Sequence, residues 1–184
     1  MNSMSKQEID YCGVRLVRLS EPFIEMVRLW RMKPEISSKM EYRGTITPEM
    51  QKKWFLSVNN DRNFYFLMYC KDEPVGLANL KDVDYGKREA EGGMFIGEPE
   101  KTDYLFGLRG AIAMYCFAFH VLHLETIVAH VLKDNPGAIR MNQLMGFVPE
   151  PDQECVYNRK YRVTKERFEL FTEKIQRRFN QGGV

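Results

Sequence analysis

The stretch "AHVLKDNPGAIRMNQLMGF", residues 129–147, decides the fold. Val128, His130 and Leu132 alternate with Ala129, Val131 and Lys133, a two-residue period that reads as a strand. Asn135-Pro136 follows, a capping residue and then the residue best tolerated in the first turn of a helix. The helix so opened ends at Gly146, where a left-handed closing residue is expected. One histidine points out of an otherwise apolar strand, and what it faces is the question that the sequence poses.

Working outward, residues 125–132 give the strand and residues 107–122 a strongly apolar helix ahead of it. Residues 64–70 and 75–81 read as a hairpin turned by Lys71-Asp72-Glu73-Pro74. Residues 92–97 supply another strand, after a polar turn at residues 85–88. Nearer the start, residues 13–19 read as a first strand. A helix over residues 22–32 then carries Phe23, Met26, Val27 and Trp30 on one side. Thr47-Pro48-Glu49 opens a second helix, with Met50, Trp54 and Phe55 expected inward. The order β-α-α-β-β-β-α-β-α predicts a mixed α/β (α+β) sandwich on one central sheet. Short turns between the middle strands exclude an all-parallel doubly wound fold.

At 184 residues the chain is read as one domain, with 44% hydrophobic and 28% charged residues. A formal charge of +2 gives no field that argues for nucleic acid or an anionic membrane as partner. Cys12, Cys70, Cys116 and Cys155 show no metal or redox spacing. They are expected as reduced thiols in a cytoplasmic protein. No apolar run reaches membrane-spanning length, and the start MNSMSKQEID does not read as a signal peptide. His120 and His123 sit three apart without a third ligand at recognisable spacing, so no metal is expected.

The segment "GGMFIGEPEKTDYLFGLRGAIAMYCFAFHVLHLETIVAHVLKDNPGAIRMNQLMGF" resembles the acyl-CoA-binding half of the GNAT N-acetyltransferases. Asn135, Ala138-Ile139 and Gly146-Phe147 match that family's N-x-x-A-I-x-x-Y-x-x-x-G-F run. The upstream "LWRMKPEISSKMEY…ITPEMQKKWF" is similar to the acceptor half of two branches. One comprises nucleotide-sugar N-acetyltransferases that modify amino-dideoxy sugars; the other comprises ribosomal-protein N-terminal acetyltransferases. The resemblance implies a central mixed sheet of about seven strands flanked by helices, with two strands splayed into a wedge for acyl-CoA. It divides the chain into a flexible N-terminus (1–12), a core (13–160) and a C-terminal amphipathic helix and tail (161–184). Phe168, Phe171, Ile175 and Phe179 form that helix's apolar face. Docking on its own domain is the first reading of this stripe, and a homodimer contact the second.

The resemblance also implies site residues. Acetyl-CoA, or another short acyl-CoA, is the implied co-substrate, with Phe95, Ile96 and Gly97 along its pantetheine and Asn135 nearby. Its pyrophosphate suits the start of the apolar helix, among Thr102, Asp103, Leu105, Phe106, Gly107 and Leu108. Only Gly107 survives from the family's R/Q-x-x-G-x-G loop, and Asp103 adds a charge unfavourable to phosphate. Gly92-Gly93 fits either a bulge or a close approach near the wedge.

Counting back from the signature puts His130 where N-terminal-acetylating relatives carry a glutamate base. Asn142 falls where they carry a tyrosine acid. Imidazole accepts a proton near neutrality, whereas an amide only donates a hydrogen bond. His130 therefore reads as base or as a sheet residue with a satisfied nitrogen. Tyr104 or Tyr115 could stand in for the lost tyrosine, and spacing selects neither. Glu91 could orient or deprotonate the substrate amine. Arg31, Met40, Tyr42 and Asn79 are the candidate acceptor contacts, an arginine to hold phosphate and a tyrosine or methionine to pack on a base. Trp54 reads as core.

The expected activity is acyl transfer to the amine of a nucleotide-linked amino sugar by direct attack. Acetylation of a protein N-terminus or small amine is the second reading. A non-catalytic acyl-CoA-binding or interaction module is the third.

Overall fold

The computed structural model describes residues 8–11 and 13–181. Gly13 takes a positive φ of +79° and reverses the chain between Glu8–Tyr11 (β1) and Val14–Arg18 (β2). That conformation suits glycine because it lacks a Cβ. Part of the expected flexible leader is thus an edge strand, while residues 1–7 and Cys12 lie outside the described residues. Ile24–Met32 (α1), Pro34–Ser37 (α2) and Pro48–Val58 (α3) follow. Phe64–Cys70 (β3), Glu73–Asp84 (β4) and Glu89–Ile96 (β5) then form a meander. Phe106–Cys116 (α4) loosens into a π-turn at Phe117–Val121 before Thr126–Leu132 (β6). Pro136–Leu144 (α5), Val148–Pro149 (β7), Asn158–Thr164 (β8) and Lys165–Gln181 (α6) complete the order.

Among these residues eight strands form one sheet in the order β1-β2-β3-β4-β5-β6-β8-β7, one more than expected. β8 crosses the anticipated boundary at residue 161, and α6 begins at Lys165. Every pairing is antiparallel except β5 with β6. Helices cover both faces. Phe66 and Met68 of β3 pack with Ile112, Met114 and Phe106, whereas Leu67 between them packs with Val27, Trp30 and Phe55. A strand covered on both faces reads as a continuous apolar run, hence FYFLMYC.

Helix α3 starts as anticipated, the Thr47 hydroxyl accepting the Met50 N–H at 3.2 Å. Its inward face differs. Met50 is exposed, and Gln51 is buried instead, donating its amide to the Ile24 carbonyl at 3.1 Å. Gln51, Trp54, Phe55 and Val58 keep the helical spacing, with a polar residue in the first position.

Asn135 caps α5 by accepting the Ala138 N–H at 3.2 Å, and Gly146 closes it at φ +88°. Phe168 of α6 is fully buried and Phe171 packs against the same core. Ile175 and Phe179 lie outside the residues whose side chains are described. Cys70, Cys116 and Cys155 form no disulfide. No described helix is long and apolar enough to cross a membrane.

Candidate active site

The parallel pairing of β5 and β6 lasts for three registers: Glu89 with Thr126, Ala90 with Ile127, Glu91 with Val128. Beyond it, Gly92–Ile96 stays hydrogen-bonded to β4 and Ala129–Leu132 to β8, but the two strands no longer bond each other. Each therefore turns one row of backbone N–H and C=O groups into the gap, which can pair with an extended ligand. The gap opens into a cavity of about 730 Å³, a usual volume for a small-molecule site.

His130, Glu91 and Asn142 all line it. His130 Nδ1 lies 3.2 Å from Glu91 Oε2, and the other carboxylate oxygen lies 2.9 Å from Lys81 Nζ. The register explains the chain of three. Lys81 pairs directly with Glu91 across β4–β5, and His130 stands two residues past Val128, Glu91's partner on β6. All three point to one face. The carboxylate beside Nδ1 favours the tautomer with its proton there, which puts the imidazole lone pair at Nε2. Lys81 was not anticipated; its period-two spacing from Asn79 on the same strand was the available signal.

Asn142 is 5% exposed and its amide makes no hydrogen bond among the described residues. Tyr115, 3% exposed, lines the same cavity, and its hydroxyl likewise has no partner among them. Burial pushes the Tyr115 phenol up from its ordinary pKa. Tyr104, the other tyrosine in question, is 93% exposed. A Cβ on Gly92 would fall 2.9 Å from the Tyr115 oxygen and 2.7 Å from its ring. The β4–β5 register is regular at Gly92-Gly93, and its irregularity lies between Lys81 and Asp84. The glycines thus serve close approach, not a bulge.

Phe95, Ile96 and Asn135 line the cavity as expected. Gly97 does not; a Cβ there would meet the Trp30 ring at 2.3 Å, so this glycine admits the indole. Trp30 Nε1 donates to Glu98 at 2.6 Å, and Lys33 Nζ reaches Glu98 at 3.1 Å and the Gly97 carbonyl at 2.8 Å. Phe106, expected at the cofactor, is fully buried core. Thr102 donates its hydroxyl to the Pro99 carbonyl at 2.9 Å.

Asp103 accepts the Leu105 N–H at 2.9 Å and pairs with Arg109 through both oxygens, at 3.2 and 2.7 Å. Its carboxyl is held below the usual range, foremost by Arg109. The Phe106 N–H goes to the Asp103 carbonyl at 3.1 Å. This leaves the N–H groups of Gly107 and Leu108 as open donors of the first turn of α4. The gap fits a pantetheine arm, and the helix start fits phosphate through those two donors with Asp103 as a resident competitor.

At the other end, Arg31, Met40 and Asn79 line the cavity beside Trp54 and Tyr65, whose rings meet edge to face at 4.9 Å. Trp54 is therefore wall as well as packing. Tyr42 lies outside the lining, its hydroxyl donated to the Thr45 carbonyl at 3.2 Å. Arg31 makes no salt bridge to any described carboxylate. Burial draws its pKa down, against the opposing pull of Tyr65 and Tyr42. A guanidinium stays charged, so this half-buried group lacks a counter-charge. Across the opening, the Tyr157 hydroxyl accepts from Arg43 at 2.9 Å and donates to Asp134 at 2.7 Å, tying the loop after α2 to the turn after β6.

A splayed parallel pair over a capped N-x-x-A-I helix has a match across most of the chain: the acetyltransferase (GNAT) domain matches residues 14–148. The chain belongs to the GNAT acetyltransferase family. It is an acyl-CoA-dependent N-acetyltransferase. Acetyltransferase PseH of Campylobacter jejuni is 26% identical over 141 residues, 76% of this chain and 86% of the relative. Spermidine N(1)-acetyltransferase of Vibrio cholerae is 29% identical over 105 residues, 56% of this chain and 60% of the relative. Among solved structures, apo FdhC, a nucleotide-linked sugar GNAT, superposes with a TM-score of 0.79 at 18% identity. That match covers 93% of this chain and 97% of FdhC. The Vibrio cholerae spermidine N-acetyltransferase in complex with CoA and spermine gives 0.72 at 19% identity, covering 85% of this chain and 98% of that one. At such identities the structures attest the shared GNAT fold.

Proposed function

We propose that this enzyme transfers an acetyl or other short acyl group from acyl-CoA to the amine of a nucleotide-linked amino sugar. Arg31 carries the proposal: a half-buried cation with no described carboxylate in ion-pair contact, on the cavity wall beside Trp54 and Tyr65. It suits the diphosphate of a nucleotide sugar, held by paired N–H bonds, with aromatic surface for a ring. The relation to PseH and the likeness to FdhC support the same acceptor class. A polyamine is the second reading, favoured by the Vibrio cholerae relative and by Glu35 and Glu41 on the same wall. A polycation gains nothing from Arg31.

The chemistry follows from the strand residues. Acyl-CoA supplies an activated acyl group when it lies along the gap. His130 Nε2 accepts the amine proton as nitrogen attacks directly, while Glu91 holds the ring by Nδ1 and Lys81 holds Glu91. Asn142 donates a hydrogen bond in the gap and gives up no proton. Gly107 and Leu108 offer their N–H groups to the pyrophosphate.

A thiol-release assay with acetyl-CoA decides the acceptor, run on UDP- and dTDP-linked amino sugars beside spermidine and short peptides. Turnover of amino sugars is expected. Turnover confined to spermidine or to peptides would sink the sugar proposal.

A further inference from the structure

We infer that the Tyr115 hydroxyl is a further catalytic group, donating a hydrogen bond to the departing sulfur beside the Asn142 amide. The inference rests on the proposed placing of the acyl-CoA arm in the β5–β6 gap. Tyrosine and asparagine side chains with so little exposed surface ordinarily hydrogen-bond within the protein. Here two such side chains, 3% and 5% exposed, line one cavity, and neither has a hydrogen bond among the described residues. Both adjoin Phe147. The Tyr115 ring packs on Phe147 with centroids 5.6 Å apart, and the Phe147 N–H donates to the Asn142 carbonyl at 3.0 Å. Gly92, the first residue of β5 past the last parallel pair, leaves the phenol its room. Under the proposed placing, an arm running along the gap from the start of α4 passes over this floor, within the cavity that both donors line.

The phenol keeps its proton. A free thiol has a pKa of about 8.5 and an ordinary phenol one of about 10, so moving the proton to a thiolate would run uphill. Burial widens that difference for Tyr115. The hydroxyl therefore steadies negative charge on sulfur without being consumed. In the balanced step a C–N bond forms and the C–S bond breaks. His130 takes the amine proton and passes it to water. Sulfur leaves with the bonding pair and is protonated by solvent on release.

Tyr115→Phe preserves the ring contacts with Phe147 and Phe168 and removes one oxygen. Its kcat should fall about tenfold to a hundredfold, with the acceptor KM within about twofold and an unchanged melting temperature. A second readout needs no acceptor. At about pH 9, where a thiol is largely ionised, the variant should bind CoA about fivefold more weakly and a desulfo-CoA analogue equally well. Unchanged kcat, or the same affinity change for both ligands, would overturn the inference. A wild-type enzyme that binds neither ligand would instead overturn the placing of the arm.

Discussion

Nδ1 of His130 lies 3.2 Å from Oε2 of Glu91, on neighbouring strands at the point where they part. If His130 is the base, His130→Ala should lower kcat by about a hundredfold to ten-thousandfold. Acyl-CoA affinity should stay within about twofold, because the arm is held by backbone edges. Glu91→Gln keeps the shape and weakens the hold on the ring, so a loss of about tenfold is expected. Steady-state kinetics together with calorimetric CoA binding checks both; unchanged turnover in His130→Ala removes it as base.

Arg31→Met retains the apolar stem and deletes the charge. With a nucleotide sugar as acceptor, its KM should rise about tenfold or more, the usual worth of a charge-assisted hydrogen bond. The KM for acetyl-CoA should hold. An unaffected acceptor KM would detach Arg31 from the substrate.

Asp103 holds an N–H at the start of α4 and both arms of Arg109. A phosphate arriving there competes with it. Asp103→Ala should tighten CoA binding several-fold by calorimetry, with a small fall in melting temperature from the lost cap. Weaker CoA binding in this variant would mean that the carboxylate shapes the cradle and does not compete for it.

Gly92→Ala places a methyl 2.7 Å from the Tyr115 ring and 3.1 Å from Ile127. Overpacking of this kind costs about 1–3 kcal/mol. Denaturant unfolding should register that loss, and kcat should drop as the phenol shifts.

Glu98 is held below its ordinary pKa of 4.5, foremost by Lys33, then by Glu100 and Trp30. A depressed carboxyl contributes stability that is fully present above 4.5 and is lost as pH falls through the folded-state value. As pH falls below 4.5 and through that lowered value, the wild type should therefore lose more melting temperature than Glu98→Gln does. Parallel curves would remove Glu98 from the acid response.

Legibility followed local signals. The strand–Asn-Pro–helix–Gly run at residues 129–147 stands as its pattern implied, because cap, first-turn proline and closing glycine each have one mechanical meaning. β1 is hidden because Gly13 reads as the start of a strand, whereas it turns the chain between two. β8, "NRKYRVT", was hidden by its charges, although Tyr161 and Val163 alternate inward. At the site, His130 and Glu91 could each be named, but their contact depends on parallel register, which no single segment encodes. Gly92 reveals its purpose only beside Tyr115, from a helix more than twenty positions away.

The three-rung joint between β5 and β6 has a mechanical consequence. Among the described residues it is the one parallel seam between two antiparallel leaves, β1–β5 and β6–β8, so only three residue pairs join the leaves edge to edge. Ala90 and Ile127, the middle pair, are both buried in the main core, next to Glu91 on one strand and against Gly92 from the other. The mouth of the wedge is therefore braced by core packing as much as by backbone bonds, and a cavity cut at Ile127 should loosen cofactor binding together with the fold.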